Sequence, residues 1–424
     1  MKVLPYTGAW MPVFSLHNLE YTKGEPQTIK IFNRDWVVWR DNKFDVWSVQ
    51  EDKCPHKFAP LSQGRVDQNS GCLECPYHGW QFNFNGSTVK IPQNENKVTP
   101  FSINNIITYV TGDILWGFFP KHISSIDEPI EILPEYKYEF LNYTKDEKYF
   151  IKELPYSWDI LVENFMDPAH IPFAHHGLQG KRSDGKPIKI KLKNSNKSHC
   201  EIFFEDSMNS KKRNGIISFH SPSHFSYSTL RKNNEYKSNI NVLTVPVKHG
   251  ASRVFMISPF SKSKLPKWLQ HAATNRFLNT DIWLHEAEIN YRNGEKEYLA
   301  PSSSDQATII FRRWWRTNKL DESLPHTFGP APPNSLTKIS RSRQINSWNT
   351  HSKNCKDCKD AANFFRRFKF FPILFSTLYV LTLQRIFVHF AIISGFGSII
   401  AERVLNIIYG EMYVNKRSAS AIKD

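Results

Sequence analysis

The stretch Cys54-Pro-His56-Lys-Phe-Ala-Pro-Leu-Ser-Gln-Gly-Arg-Val66, answered by Cys72-Leu-Glu-Cys75-Pro-Tyr-His78-Gly-Trp80-Gln-Phe82, decides the reading of the N-terminal third of the chain. Two compact Cys/His pairs, Cys54/His56 and Cys75/His78, have eighteen residues between them. Such a set holds either one tetrahedral zinc or one [2Fe-2S] cluster, in which two thiolates bind one iron and two neutral imidazoles the other. Spacing alone leaves both open. Cys72 adds a Cys-x-x-Cys with Cys75, but one thiolate suffices there, and Cys72 reads as a small residue in a loop.

Working outward, Gln27 to Gln50 reads as short strands (QTIKIF, DWVVWR, a turn at Asp41-Asn42, then FDVWSV), because β-branched and aromatic residues are bounded by turn formers. ITYV and ILWGFF around Gly112-Asp113 suggest a further pair, so the first domain, residues 1–125, is expected to be antiparallel β. The middle of the chain mixes strands (HCEIFFE, SRVFMISPF) with helices around Ser157 to Phe165 and Lys267 to Tyr291, the pattern of an α+β domain over 126–345. Beyond lies a Cys/Lys-rich connector, then apolar runs Phe370 to Leu383 and Ile386 to Ala401, split by Gln384-Arg385. Neither run reaches the roughly 18 uncharged residues of a spanning helix. With Arg366, Arg367 and Lys369 as a basic flank, residues 346–424 read as membrane-associated helices, a hairpin or an interfacial pair.

The 424 residues are enough for two cores and a tail, and 40% apolar with 14% aromatic residues excludes a disordered chain. The aromatic load suits either a pocket for a large flat substrate or a filled core. A formal charge of +15, from 55 Lys and Arg against 40 Asp and Glu, favours an acidic protein partner or an anionic membrane surface. Nucleic acid is not expected: no such module is visible, and in Lys181 to Lys197 the alternation of Ile188, Ile190 and Leu192 with Lys189, Lys191 and Lys193 describes a half-buried strand with a solvated lysine face. Six cysteines in so long a chain point to metal or redox chemistry, not a disulfide framework. The start, MKVLPYTGAWMPVF, has neither an apolar h-region nor a transit-like stretch, so the protein is expected to work where it is made or to have lost an address already.

A second constellation, Glu163-Asn164-Phe-Met-Asp167-Pro-Ala-His170-Ile-Pro-Phe-Ala-His175-His176, sets two histidines five apart after an acidic and amide cluster. Two histidines and a carboxylate on one face of Fe(II) leave positions open for dioxygen and substrate. Together, ECPYHGW, ENFMDPAHIPFAHHG and FRRWW at Phe311 to Trp315 resemble the pheophorbide a oxygenase and chlorophyllide a oxygenase group of Rieske non-haem iron oxygenases, over nearly the whole chain.

That resemblance implies a Rieske domain with Cys54, His56, Cys75 and His78 on the cluster, then a helix-grip-like catalytic domain with His170 and His175 on the mononuclear iron. The third iron ligand is expected on a late helix of that domain, where Asp281 in RFLNTDIWLHEAE is preferred over Glu286, Glu288 and Asp305. Asp167 matches the carboxylate that links a terminal-site histidine to a Rieske histidine, here His78, of a neighbouring subunit, and so implies a homotrimer. Asn164 is a candidate beside the same iron. Cys355 and Cys358 match the C-terminal redox motif of the pheophorbide a oxygenase subgroup, with Lys356 and Lys359 placed to lower a thiol pKa. The expected activity is oxygenation of a chlorophyll-derived tetrapyrrole at a thylakoid or other photosynthetic membrane, with electrons from a ferredoxin-type donor. A redox-sensing membrane protein without turnover is the alternative, and a plain electron carrier would have no use for the second histidine motif.

Overall fold

The computed structural model describes residues 8–94, 101–120, 133–143, 148–209, 211–230, 236–257, 263–294, 299–319, 331–368, 370–382 and 386–410. The expected boundary near residue 125 and the Gln384-Arg385 break fall outside them.

The described residues build three antiparallel sheets. The first has six strands, β1 (Gly8–Ser15), β2 (Gln27–Ile31), β3 (Arg34–Asp41), β4 (Val46–Glu51), β9 (Asn105–Thr111) and β10 (Ile114–Pro120), in the order β1-β10-β9-β4-β3-β2. Between β4 and β9 a small sheet of β5 (Arg65–Val66), β6 (Leu73–Glu74), β7 (Gln81–Phe82) and β8 (Thr88–Lys90) carries the two Cys/His loops at its ends. The third sheet comprises β11 (Phe150–Leu154), β12 (Lys189–Ser195), β13 (His199–Met208), β14 (Lys211–His220), β15 (His224–Leu230), β16 (Tyr236–Lys248) and β17 (Ala251–Met256), ordered β11-β17-β16-β15-β14-β13-β12. Only its first strand leaves the run of hairpins, so β11 and the helix after it reach the far edge before the meander begins. On the edge strand β12 the alternation fades: Ile188 is buried and Ile190 half-buried, but Leu192 is exposed beside its lysines.

The six- and seven-stranded sheets share one hydrophobic core, in which Trp10, Trp116, Trp158, Phe150 and Phe204 are fully buried. Each such phenylalanine contributes roughly 1.5–3 kcal/mol on leaving water. The tight β2–β3 turn docks on the third sheet, with Phe32 N–H donating to the Pro246 carbonyl (3.0 Å) and Asn33 N–H to that of Val247 (2.8 Å). Asp113, in the β9–β10 turn, accepts from the Ser15 hydroxyl (2.6 Å), His17 N–H (2.9 Å) and Tyr149 N–H (3.2 Å), tying the start of the second half to the first.

Helices Trp158–Met166 and Gln306–Thr317 pack on the third sheet. Arg312 of the FRRWW motif makes a bidentate pair with Glu163 (2.7 and 2.9 Å), and Trp158 donates its ring N–H to the Thr244 hydroxyl (2.8 Å), so the first helix is fixed on two sides. At the C-terminus the structure departs from the sequence reading: one helix runs continuously over Ile386–Tyr409, past Glu402 and Arg403, two good helix formers. Val388–Tyr409 is thereby long and apolar enough to cross a membrane.

Candidate functional site

The two Cys/His loops are close copies of each other. Cys54 N–H donates to the Ala59 carbonyl and Phe58 N–H to that of Cys54 (2.9 Å each); Cys75 N–H donates to the Trp80 carbonyl (2.8 Å) and Gly79 N–H to that of Cys75 (3.1 Å). Gly79 sits at φ 71°, where side chains are strained, so glycine lets the second loop turn back under its own histidine. Both cysteines are buried beside Trp39, Leu73 and Trp80, while His56 reaches the surface and stacks on Trp80 (centroids 4.9 Å apart, planes 10° apart). The two imidazoles stand 4.5 Å apart. Burial pushes the Cys54 thiol up, the adjacent Cys75 sulfur adds to it, and backbone N–H groups of His56 and Lys57 aimed at the sulfur oppose both.

These residues fit an iron–sulfur cluster. His78 Nδ1 is buried and has no hydrogen-bond partner among the described residues, a bare donor aimed inward. Burial first, then His56 and Lys57, lowers the His78 pKa and keeps the ring neutral, as a metal ligand must be. The two cysteines lie together in the core and the two imidazoles together above them, the paired arrangement that a two-iron cluster takes. Cys72 faces the Ser70 carbonyl instead (3.6 Å).

The second constellation folds around a gap. The helix Trp158–Met166 ends at Asp167, a turn follows, and Ile171–Ala174 forms one helical turn bracketed by His170 and His175. Asp281 arrives from beyond the meander, at the end of the short turn Asn279–Asp281 between helices Lys267–Leu278 and Leu284–Arg292. One donor atom from each of His170, His175 and Asp281 lies within 4.8 Å of the others.

Hydrogen bonds set both tautomers. His175 Nδ1 meets the Thr280 hydroxyl (2.7 Å), which itself donates to the Phe277 carbonyl (2.6 Å), so the ring must donate from Nδ1 and Nε2 keeps its lone pair. That Nε2 faces Asp281 Oδ2 at 3.5 Å. His170 Nδ1 likewise donates to the Asp167 carbonyl (2.6 Å). Asn164 donates to Asp281 Oδ2 (3.2 Å), while the buried Asp281 Oδ1 has no partner among the described residues. Burial lowers the His175 pKa to about 4, outweighing the opposing pull of Asp281, so the imidazole is neutral at working pH. Two imidazoles and an orphaned carboxylate oxygen are the donor set that Fe(II) needs.

The rival carboxylates are occupied elsewhere. Glu288 accepts from Ser157 N–H (2.8 Å), Glu286 pairs with Lys338 (3.2 Å), and Asp305 caps its own turn at Ser302 (2.8 Å). Asp167 Oδ1 accepts from Ala169 N–H (2.8 Å); its carboxyl pKa is raised by burial, against the pull of His170. Cys355 and Cys358 are buried, not displayed on a linker, and lie against His271 and His351. The lysines expected to act on them are turned away: Lys356 pairs with Asp360 (2.8 Å), and Lys359 lies over the Tyr21 ring. Sequence reasoning missed Thr280 and Phe277, which stacks on His175 at 4.2 Å, and both lie within four residues of Asp281.

Comparison with known proteins agrees with this geometry. The Rieske [2Fe-2S] domain profile matches residues 9–109. The protochlorophyllide-dependent translocon component 52 of Arabidopsis thaliana is 31% identical over 76% of this chain and 69% of its own length. The chain belongs to the Rieske non-haem iron oxygenases. As such it carries a Rieske [2Fe-2S] cluster and a mononuclear iron. Flavonoid 8-hydroxylase 2 of Ocimum basilicum is 28% identical over 75% of the chain and 68% of its own length. Pheophorbide a oxygenase of Oryza sativa subsp. japonica is 27% identical over 84% and 73%. Among solved structures, dicamba monooxygenase bound to dicamba superposes with a TM-score of 0.57 at 16% identity, covering 75% of this chain and 99% of that one, a likeness of fold.

Proposed function

We propose that this oxygenase acts on a chlorophyll-derived tetrapyrrole at a photosynthetic, plastid-type membrane, with reduced ferredoxin or a similar acidic protein as its electron source. The convergence of His170, His175 and Asp281 carries the reading, because a sensor or carrier needs no second site with a free carboxylate oxygen. Cys54, Cys75, His56 and His78 would hold the cluster, and His170, His175 and Asp281 the iron. When bound, the cluster supplies electrons one at a time and the iron supplies the centre at which dioxygen is activated.

The protein's own groups prepare that centre. Thr280 and the Asp167 carbonyl aim the two Nε2 lone pairs, Asn164 orients Asp281, and burial keeps His175 from competing protonation. Asp167, on the turn that bears His170, would couple the iron site to His78 of a neighbouring subunit in a trimeric ring. At the Rieske surface, exposed His56 is flanked by Lys53 over the Phe58 ring (4.3 Å) and Lys57 over the Tyr77 ring (5.6 Å), a basic face suited to an acidic donor. Two relatives named for protochlorophyllide and pheophorbide a support the tetrapyrrole, and relatives named as chloroplastic support the location. The exposed Ile393, Phe396 and Ile400 of the last helix support contact with lipid.

Oxygen uptake by the full-length protein with reduced ferredoxin tests this. A panel of pheophorbide, chlorophyllide and protochlorophyllide should raise uptake, with an oxygenated pigment as product. Uptake driven only by a flavonoid, or by none of these compounds, would remove the substrate assignment.

A further inference from the structure

A second buried donor set lies away from both iron centres, at the junction of the α+β domain with the C-terminal helices. His271 comes from the helix Lys267–Leu278, His351 from the end of the short helix Ser347–Thr350, Cys355 directly precedes the helix Lys356–Phe368, and Cys358 lies in its first turn. All four side chains are buried, and one donor atom from each lies within 4.8 Å of the others. We propose that His271, His351, Cys355 and Cys358 form a structural zinc site that fastens the C-terminal helices to the catalytic domain.

The distances are those of a coordination tetrahedron. Zn–N bonds of about 2.0–2.1 Å and Zn–S bonds of about 2.3 Å at tetrahedral angles place two nitrogens about 3.3 Å apart and a nitrogen and a sulfur about 3.6 Å apart. Here His351 Nε2 and His271 Nδ1 are 3.3 Å apart. Cys355 Sγ lies 3.4 Å and Cys358 Sγ 3.6 Å from His271 Nδ1, and Cys358 Sγ lies 3.4 Å from His351 Nε2. A hydrogen-bond network explains this poorly, since His271 Nδ1 has one proton or one lone pair to set against three facing atoms.

The surroundings complete the site. His351 Nδ1 donates to the Ile151 carbonyl at 2.6 Å, which leaves Nε2 as the lone-pair nitrogen, the outer hydrogen bond expected of a metal-bound histidine. Cys355 stands at the positive end of a 13-residue helix, which favours its thiolate. One Zn²⁺ and two thiolates sum to no net charge, which suits a buried place. A cleft of about 330 Å³ lined by Phe14, Asn18, His351 and Cys355 among others gives a path in. The last helix covers the other side, packing Leu405 and Ile408 against both cysteines while the Ile408 carbonyl accepts from the Ser352 hydroxyl (2.9 Å).

The test is metal analysis of the full-length protein together with cobalt exchange. One equivalent of zinc per chain beyond the iron is expected, and protein produced with Co²⁺ should show thiolate-to-cobalt charge transfer and tetrahedral d–d bands. Cys358→His keeps four donors, so it should retain one equivalent of metal while losing about half of the charge-transfer intensity, with an unchanged Rieske EPR signal as the control for folding. A wild-type protein without zinc overturns the proposal, whether it shows a Cys355–Cys358 disulfide, two free thiols or an extra thiolate-bound iron. So does an unaltered cobalt spectrum in the Co²⁺-loaded Cys358→His variant.

Discussion

Thr280→Val removes one hydroxyl at nearly constant shape and tests how the iron site is pre-set. The hydroxyl accepts from His175 Nδ1 at 2.7 Å and donates to the Phe277 carbonyl at 2.6 Å. That carbonyl keeps a second partner in the Asn279 N–H, so the loss falls on the imidazole. A buried ring N–H left unpaired costs about 1–3 kcal/mol, which should appear as lower stability of the iron-free protein. The ring is then free to move its proton to Nε2, the nitrogen that faces Asp281. Loss of such an outer hydrogen bond costs typically about 10–100-fold in metal affinity, or about 1.4–2.8 kcal/mol. Anaerobic titration of the iron-depleted protein with Fe(II) against a competing chelator reads this directly, and the Rieske EPR signal reports whether the fold is intact. Thr280→Ser should behave as wild type. If the valine variant binds Fe(II) as tightly as the parent, with the cluster unperturbed, the tautomer argument is wrong.

Asp167→Asn should leave both metals bound and abolish turnover, and mixing such subunits with His78-defective ones should restore part of the activity, because some interfaces then pair an intact His78 with an intact Asp167; no recovery in demonstrably mixed rings would mean that electrons stay within one chain. His224, fully buried, has its pKa lowered by burial to about 3 from 6.5, so the unfolded chain binds the proton first. Its contribution to stability is complete above about pH 6.5 and declines as pH falls toward about 3. His224→Gln should flatten that acid limb in a pH series of thermal unfolding, and an unchanged limb would exonerate His224. Ile393→Lys with Phe396→Lys places charge on two side chains that are each 67% exposed on the last helix, and should move the protein from membranes to the soluble fraction at high salt with its metal content intact; retention on the membrane would exclude that face as the anchor.

The sheets were legible where alternation was strong: QTIKIF, DWVVWR and FDVWSV became β2, β3 and β4 because each has a buried face against Trp36, Val37 and Val49. Leu192 shows where alternation misleads, since cover over the edge strand β12 gives out along its length: Ile188 is buried, Ile190 half-buried and Leu192 exposed. The two Cys/His loops could be read because every donor sits in a short contiguous motif. Asp281 was harder, being one carboxylate among several, and only the arrival of its turn beside His175 separates it from Glu286, Glu288 and Asp305. His271 and His351 could not be read at all, because nothing local distinguishes a histidine whose partners lie on another helix. The last helix was underestimated because Glu402 and Arg403 end the apolar run without ending the helix.

The proposed iron donors are separated along the chain by the whole β12–β17 meander, the His175 and Thr280 partners lying 105 positions apart. During synthesis the two imidazoles therefore emerge well before the carboxylate. Such a half-finished site is a nitrogen chelator, and nitrogen chelators prefer copper(II) and zinc(II) to iron(II). The late aspartate makes the completed fold, not the growing chain, the form that presents all three donors together.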